Sequence, residues 1–165
     1  MLSSPEPLTA EHRIEAFESG QAVLDNWLRR RALVNQSTGA SRTYVVCEDK
    51  RVVAFYALAS GAIAQAGVTG KFRRNMPEPI PIVILARLAV DRAYHGRGLG
   101  RGMFRDAALR VVQAADTIGI RGIIVHAISE EARRFYVALG FDPSPGDAMT
   151  LMVTLRDLSR AIDAD

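Results

Sequence analysis

Cysteine is almost absent: Cys47 is the single one in 165 residues. A lone thiol builds no disulfide framework and supplies no zinc spacing. Set in the apolar run Tyr44-Val45-Val46-Cys47, it reads as a buried, inert side chain, and no metal is expected. No apolar run reaches the roughly 18 residues of a membrane span, so no membrane role is expected. Met1–Ala10 lacks the basic-then-apolar order of a secretory leader, and a cytoplasmic location is expected. Repeats, linkers and low-complexity segments are missing too, and the length suits one domain over residues 1–165 with a real core. Histidine is scarce (His12, His95, His126), and lysine nearly so (Lys50, Lys71).

Arginine therefore makes up almost all of the basic side of a chain with net charge +3 and pI ≈ 9.4. It clusters at Arg29-Arg30-Arg31, around Lys71-Phe72-Arg73-Arg74, at Arg92, Arg97, Arg101 and Arg105, and at Arg133-Arg134. Guanidinium groups suit planar, bidentate contact with phosphate, so a polyanionic partner is plausible. Arg29, Arg30, Arg73 and Arg74 are the candidate contacts to RNA. The competing explanation is solvated helix faces together with contacts to a cofactor's own phosphates.

The chain is organised around one stretch. A β-branched run, Ile82–Val90, leads through Asp91–His95 into a loop with glycines at 96, 98, 100 and 102. That loop opens a helix with an apolar stripe at Leu99, Met103, Ala107, Val111 and Ala115, flanked by Phe104, Ala108 and Val112. The first N–H groups of a helix have no internal partner, and the macrodipole adds partial positive charge there. Glycines let the backbone approach a bulky diphosphate. Residues 96–102 thus predict a pyrophosphate-bearing ligand, against the plainer possibility of a tight turn that binds nothing. The dinucleotide spacing G-x-G-x-x-G fails, since positions 101 and 103 are Arg and Met, and no Gly-Lys-Ser/Thr follows for a P-loop.

His95-Gly96-Arg97-Gly98-Leu99-Gly100 resembles the Gln/Arg-x-x-Gly-x-Gly/Ala loop of the GCN5-related N-acetyltransferase (GNAT) superfamily, with His95 departing from the usual Gln or Arg. The resemblance implies acetyl-CoA as cosubstrate, its diphosphate on His95, Gly96, Arg97, Gly98, Leu99, Gly100 and Arg101. It implies an α/β (α+β) fold with a mixed, mostly antiparallel sheet, helices on both faces and a splayed central strand pair. Pantetheine would lie in that wedge against Leu88 and Val90.

Along the chain, the pattern predicts a strand near Leu8–Ile14 and a helix over Gln21–Val34 with apolar Val23, Leu24, Trp27, Leu28 and Leu33. A polar break at 35–41 precedes a hairpin: strand Arg42–Cys47, turn Glu48-Asp49-Lys50, and a long strand Arg51–Ala66 with a possible bulge at Gly61. Thr69–Pro81 reads as a loop. After the central helix come a strand at Ile123–Ala127 and a helix Glu130–Leu139, N-capped by Ser129 and stopped by Gly140. A turn Phe141–Gly146, a strand Met149–Leu155 and a closing helix Arg156–Ile162 complete the order.

Acetyl transfer needs a polarised carbonyl, a neutral amine and a proton for the leaving thiolate. The backbone N–H near Ala89 is the candidate for the carbonyl oxygen. Tyr136 lies in Arg133-Arg134-Phe135-Tyr136-Val137-Ala138-Leu139-Gly140-Phe141, which resembles the superfamily's closing motif, whose Tyr lies beside the CoA sulfur. Phe135 goes with the cofactor site on the same ground. A phenol with pKa ~10 stays protonated at neutral pH and can donate to a thiolate; a packing role is the plainer alternative. No histidine falls in an obvious catalytic pattern, and His126 reads as structural. A lysine amine with pKa ~10.4 is about one part in 10³ neutral at pH 7, whereas an α-amine at ~7.7–8.0 is about a tenth neutral. A site without an evident base favours an α-amine.

The N-terminal half is similar to the acetyltransferase toxins of bacterial type II toxin–antitoxin systems. The residues that carry this are Pro5-Glu6-Pro7-Leu8, Phe17-x-Ser19-Gly20, Leu24-Asp25-x-Trp27-Leu28, Ala32, Asn35-Gln36, Gly39-x-Ser41-Arg42-Thr43, Tyr56-Ala57-Leu58-Ala59 and Arg87-Leu88-Ala89-Val90-Asp91. The resemblance implies transfer of acetyl to the α-amine of charged tRNA, which stops translation. It also implies a homodimer, a ribbon-helix-helix antitoxin, and operator DNA bound only through the antitoxin complex. Two alternatives compete: an acetyltransferase for a small amine or protein N-terminus, and a non-catalytic module that binds nucleic acid. The arginine clusters oppose cationic small molecules, and the intact glycines with Tyr136 oppose the second.

Overall fold

The computed structural model describes residues 1–163, so the last two residues of the expected 1–165 domain lie outside it. Seven strands form one sheet in the order β1-β2-β3-β4-β5-β7-β6. They are β1 (Glu6–Pro7), β2 (Arg42–Glu48), β3 (Arg51–Ile63), β4 (Ile80–Val90), β5 (Gly122–His126), β6 (Asp142–Pro143) and β7 (Thr150–Thr154). The pairs β1/β2, β2/β3, β5/β7 and β6/β7 are antiparallel, while β4/β5 is parallel. The parallel ladder pairs Val83 with Ile123 and Ile84 with Ile124, although β4 runs on to Val90 and β5 to His126. The sheet is mixed and mostly antiparallel, as the resemblance implies.

The chain divides into two compact units, residues 1–59 with 86–107, and residues 60–85 with 108 onward. In the first, Ala22–Trp27 (α1), a π turn at Leu28–Ala32 and Leu33–Thr38 (α2) follow without a break. Leu24, Leu28 and Ala32, spaced by four, are buried with Phe17, Val45, Val52, Phe55 and Ala89, and Trp27 packs against this cluster. Phe55 meets Phe17 edge-on at 5.4 Å and stacks on Trp27 at 6.1 Å. The helix from Leu99 to Ala114 (α4) buries Met103, Phe104, Ala107, Ala108 and Val111, most of the stripe read from sequence. Its Asp106 accepts a hydrogen bond from the hydroxyl of the fully buried Tyr56.

In the second unit, Val68, Phe72, Ile80, Ile82, Ile124 and Met152 form a core. Gly122 is required there, because a Cβ would stand 2.0 Å from the Val153 carbonyl oxygen. The remaining helices are α3 (Gly70–Arg73), α5 (Glu130–Ala138) and α6 (Leu155–Asp163). The Ser129 hydroxyl caps α5 by accepting from Ala132 N, and Gly140 turns the chain at φ 104°.

Several expectations are corrected. Leu8–Ile14 is not a strand: β1 ends at Pro7, and a turn at Thr9–His12 forms because His12 Nδ1 accepts from Thr9 N. The first helix passes Val34 and continues through the polar residues to Thr38, where Gly39 at φ 84° ends it and donates to Asn35 O. Val23 and Leu33 face solvent rather than the core. The β2/β3 register shifts between Val46 and Cys47, where no irregularity was expected, and Gly61 admits Ile84, whose Cδ1 would be 2.9 Å from a Cβ there. β3 stops at Ile63, the loop 69–81 contains α3, and the expected turn at 141–146 holds β6. The hairpin turn is as read, with Asp49 and Lys50 both at positive φ, the two-residue primed turn.

Candidate active site

The glycine loop is built by the residues that precede it. Asp91, buried at the end of β4, accepts from Glu18 N at 3.1 Å and from Ala93 N at 3.0 Å, capping a single 3-10 turn at Arg92–Tyr94. Tyr94 is the pillar under that turn. Its hydroxyl donates to Glu48 and accepts from Arg51 at 3.0 Å, and Arg97 lies over its ring at 4.8 Å. The bond between them lowers the Glu48 pKa and raises that of Tyr94. Gly96 and Gly98 then adopt φ 80° and 78°, which side chains rarely take, and nothing lies within 4 Å of where a Cβ would stand on either. The turn is open, and α4 begins directly after it. Arg97 and Arg101 are exposed beside it, and Leu99 and Gly100 are half-buried at the start of α4.

His95, the departure from the family pattern, folds back: its Nε2 donates to Val90 O at 2.7 Å. The loop is thereby tied to the strand that carries Leu88, Ala89 and Val90. Ala89 is buried in the first core, and Leu88 and Val90 are half-buried. Arg87, two residues before Ala89, lies over Trp27 at 5.0 Å and donates to Ala86 O, while its buried Nε has no hydrogen-bond partner among the described residues. Burial lowers its pKa.

In the second unit, Tyr136 is 6 % exposed on α5. Its ring meets Phe135 at 5.1 Å and Phe141 at 5.4 Å, both edge-on. Burial pushes the phenol far above its ordinary range, so the hydroxyl is a proton donor at any physiological pH. Four residues before α5, His126 at the end of β5 bonds through Nδ1 to Thr150 Oγ1 at 3.0 Å.

The four candidate RNA arginines divide. Arg29 donates to Phe17 O at 2.8 Å and Arg73 to Val68 O at 3.0 Å, so each is partly a structural tie. Arg30 and Arg74 are exposed. Cys47 is buried, and its thiol is pushed up to about 11, burial being the main cause and Glu6 the next. Its sulfur, His12 and Glu6 lie within 4.8 Å of one another. With Nδ1 accepting from Thr9 N, His12 keeps its proton on Nε2 and gives it to Glu6 at 2.9 Å. That hydrogen bonding opposes a metal there.

Tyr94 and Arg87 were not singled out from sequence as site residues. The Asp91 bond to Glu18 N and the Arg51–Tyr94–Glu48 chain join residues far apart in sequence, which no local pattern records.

The family model for the "Acetyltransferase (GNAT) domain" matches residues 39–143. The "tRNA-acetylating toxin" of Mycobacterium tuberculosis is 51% identical over 163 residues, covering 99% of this chain and 98% of that protein. AtaT complexed with acetyl-methionyl-tRNAfMet superposes with TM-score 0.89 at 27% identity, covering 97% of this chain and 98% of that one. A Tyr-to-Phe variant of AtaT bound to the C-terminus of the antitoxin AtaR and acetyl-CoA gives 0.84 at 27% identity, with 97% of each chain covered. Helices long and apolar enough to cross a membrane do not occur among the described residues. The strand, capped turn, open glycine loop and helix, with these matches along almost the whole length, establish that the chain belongs to the GNAT acetyltransferase family.

Proposed function

We propose that this protein is a toxin N-acetyltransferase that moves acetyl from acetyl-CoA to the α-amine of aminoacyl-tRNA and so halts translation. The observation that carries the reading is the 51% identity, over 99% of the chain, to a protein named for acetylating tRNA. The geometry supports the donor side. Gly96 and Gly98 leave a diphosphate room against bare backbone, and the first N–H groups of α4 follow at once. Arg97 and Arg101 supply charge, and Leu88 and Val90 supply main-chain groups for pantetheine amides.

In this reading the Ala89 N–H steadies the carbonyl oxygen as it gains charge, Phe135 lines the cofactor site, and Tyr136 gives its proton to the sulfur as the C–S bond breaks. Arg30 and Arg74 receive the tRNA backbone, with smaller contributions from Arg29 and Arg73. A ribbon-helix-helix antitoxin silences the enzyme, the pair binds operator DNA, and the toxin works as a cytoplasmic homodimer. The AtaT structure with AtaR supports the antitoxin part.

A cell-free translation system tests this. Added protein should arrest synthesis when acetyl-CoA is supplied, spare it when acetyl-CoA is withheld, and lose its effect as Tyr136→Phe. Full synthesis in the presence of acetyl-CoA overturns the proposal.

A further inference from the structure

An acceptor amine must lose a proton before it attacks, and one exposed imidazole has its ring orientation fixed by a hydroxyl and a carboxylate. His126 ends β5, two residues past the last β4 partner, Ile124. By strand alternation it shares a face with Ile124, which packs on Val68, Phe72, Ile80, Ile82 and Met152. On its other side it pairs with Thr150 of β7. The Thr150 hydroxyl donates to Asp147 Oδ2 at 2.9 Å. Its single proton is therefore spent, and toward His126 Nδ1, 3.0 Å away, it can only accept. Nδ1 thus carries the imidazole's proton, and Nε2 keeps its lone pair on an exposed side chain.

Asp147 is itself fixed: it also accepts from Met149 N at 2.9 Å, and its pKa is lowered by these two bonds and by His126. The other charges near this loop are Arg133 of α5, which donates to Ala148 O at 3.0 Å, and its partner Glu130. Neither bonds the imidazole. A base oriented by a hydroxyl that is oriented by a carboxylate is an arrangement suited to general-base work.

We infer that His126 Nε2 is the general base for the acceptor amine, with Thr150 and Asp147 as its positioning residues. This rests on the acetyl-transfer reading above. His126 takes one proton from the α-ammonium group of the acceptor. The freed nitrogen lone pair forms the C–N bond at the acetyl carbonyl carbon. The C–S pair leaves on sulfur, which receives the Tyr136 proton. The new amide sheds its second N–H proton to solvent, the phenolate regains one from solvent, and His126 releases its own to solvent, so protons and electrons balance.

Acetyl transfer from acetyl-CoA to a charged tRNA pool, followed from pH 6 to 9, tests the assignment. His126→Ala should lower kcat/KM for the acceptor about 10²-fold or more at pH 7, and the deficit should shrink toward pH 9 as the amine loses its proton unaided. Added imidazole should restore part of the rate. The KM for acetyl-CoA and the thermal midpoint should hold. Thr150→Val should give a smaller loss, and nitrogen NMR of the wild type should show the proton of neutral His126 on Nδ1. A His126→Ala rate within threefold of wild type across that range, or a proton on Nε2, overturns the assignment while leaving the acetyl-transfer reading intact. A wild-type protein that acetylates no charged tRNA overturns that reading, and the base assignment with it.

Discussion

Tyr136→Phe separates a catalytic phenol from a packing one. The hydroxyl is all that changes, and it makes no hydrogen bond to a described residue; the ring keeps its contacts to Phe135 and Phe141. Removing a buried hydroxyl with no protein partner strands no other group, so stability should be unchanged or rise by up to about 1 kcal/mol. Losing a general acid lowers rate by about 10²–10⁴-fold. At 1.36 kcal/mol per decade that is about 2.7–5.4 kcal/mol of transition-state stabilisation. The sign with pH also follows. The protonated phenol is the active form, burial raises its pKa, and activity tied to it is therefore held through pH ~10, the ordinary phenol value. Single-turnover transfer from radiolabelled acetyl-CoA, with a thermal melt of the same sample, reads both quantities. A variant within threefold of wild type, or one whose rate falls only because it unfolds, refutes the role.

Four further outcomes follow from the geometry. Gly122→Ala should destabilise by about 3 kcal/mol in urea unfolding, the upper end for overpacking, because its new methyl meets the Val153 carbonyl and not a yielding side chain; a loss below about 1 kcal/mol contradicts the close approach. Gly98→Ala should raise the KM for acetyl-CoA, since φ 78° costs an L-residue roughly 1–2 kcal/mol, and an unchanged KM removes that turn from the donor site. Cys47, with its thiol at about 11, should react with a disulfide reagent at pH 7.5 only as fast as the protein unfolds, and rapid labelling of the folded protein would refute its burial. Lys71 lowers the Asp157 pKa. Its stabilisation is therefore complete above the unfolded carboxyl value of about 3.9 and disappears as pH falls through the lowered folded value. Asp157→Asn should flatten that acid limb by less than about 1 kcal/mol for so open a pair, and an unaltered limb would deny the link.

Legibility from sequence followed the range of the cause. The β4–loop–α4 stretch was readable because its signals are local: β-branched residues, then glycines, then apolar positions spaced by four. The same holds for the Ser129 cap and the Asp49-Lys50 turn. The N-terminal lead departs from the expected strand because the side chain of His12 reaches back to Thr9 N and makes a turn. Helix continuation to Thr38 was hidden by a run of polar residues with weak helix preference, which the Gln36 side-chain bonds to Leu8 O and Thr43 N and the Gly39 cap outweigh. At the candidate site, Gly96, Gly98 and Tyr136 stood out by type and order. Tyr94, Arg87 and the tautomer of His126 did not, because each depends on partners from elements distant in sequence: Glu48 and Arg51 for the first, Trp27 for the second, Thr150 for the third.

Mass analysis of aminoacyl-tRNA after incubation with the protein and acetyl-CoA bears most directly on the central claim. One acetyl group on the α-amine of the esterified amino acid and none on the nucleotides is the expected result. Charged tRNA recovered without added acetyl, while small amines or protein N-termini in the same mixture acquire it, would contradict the account.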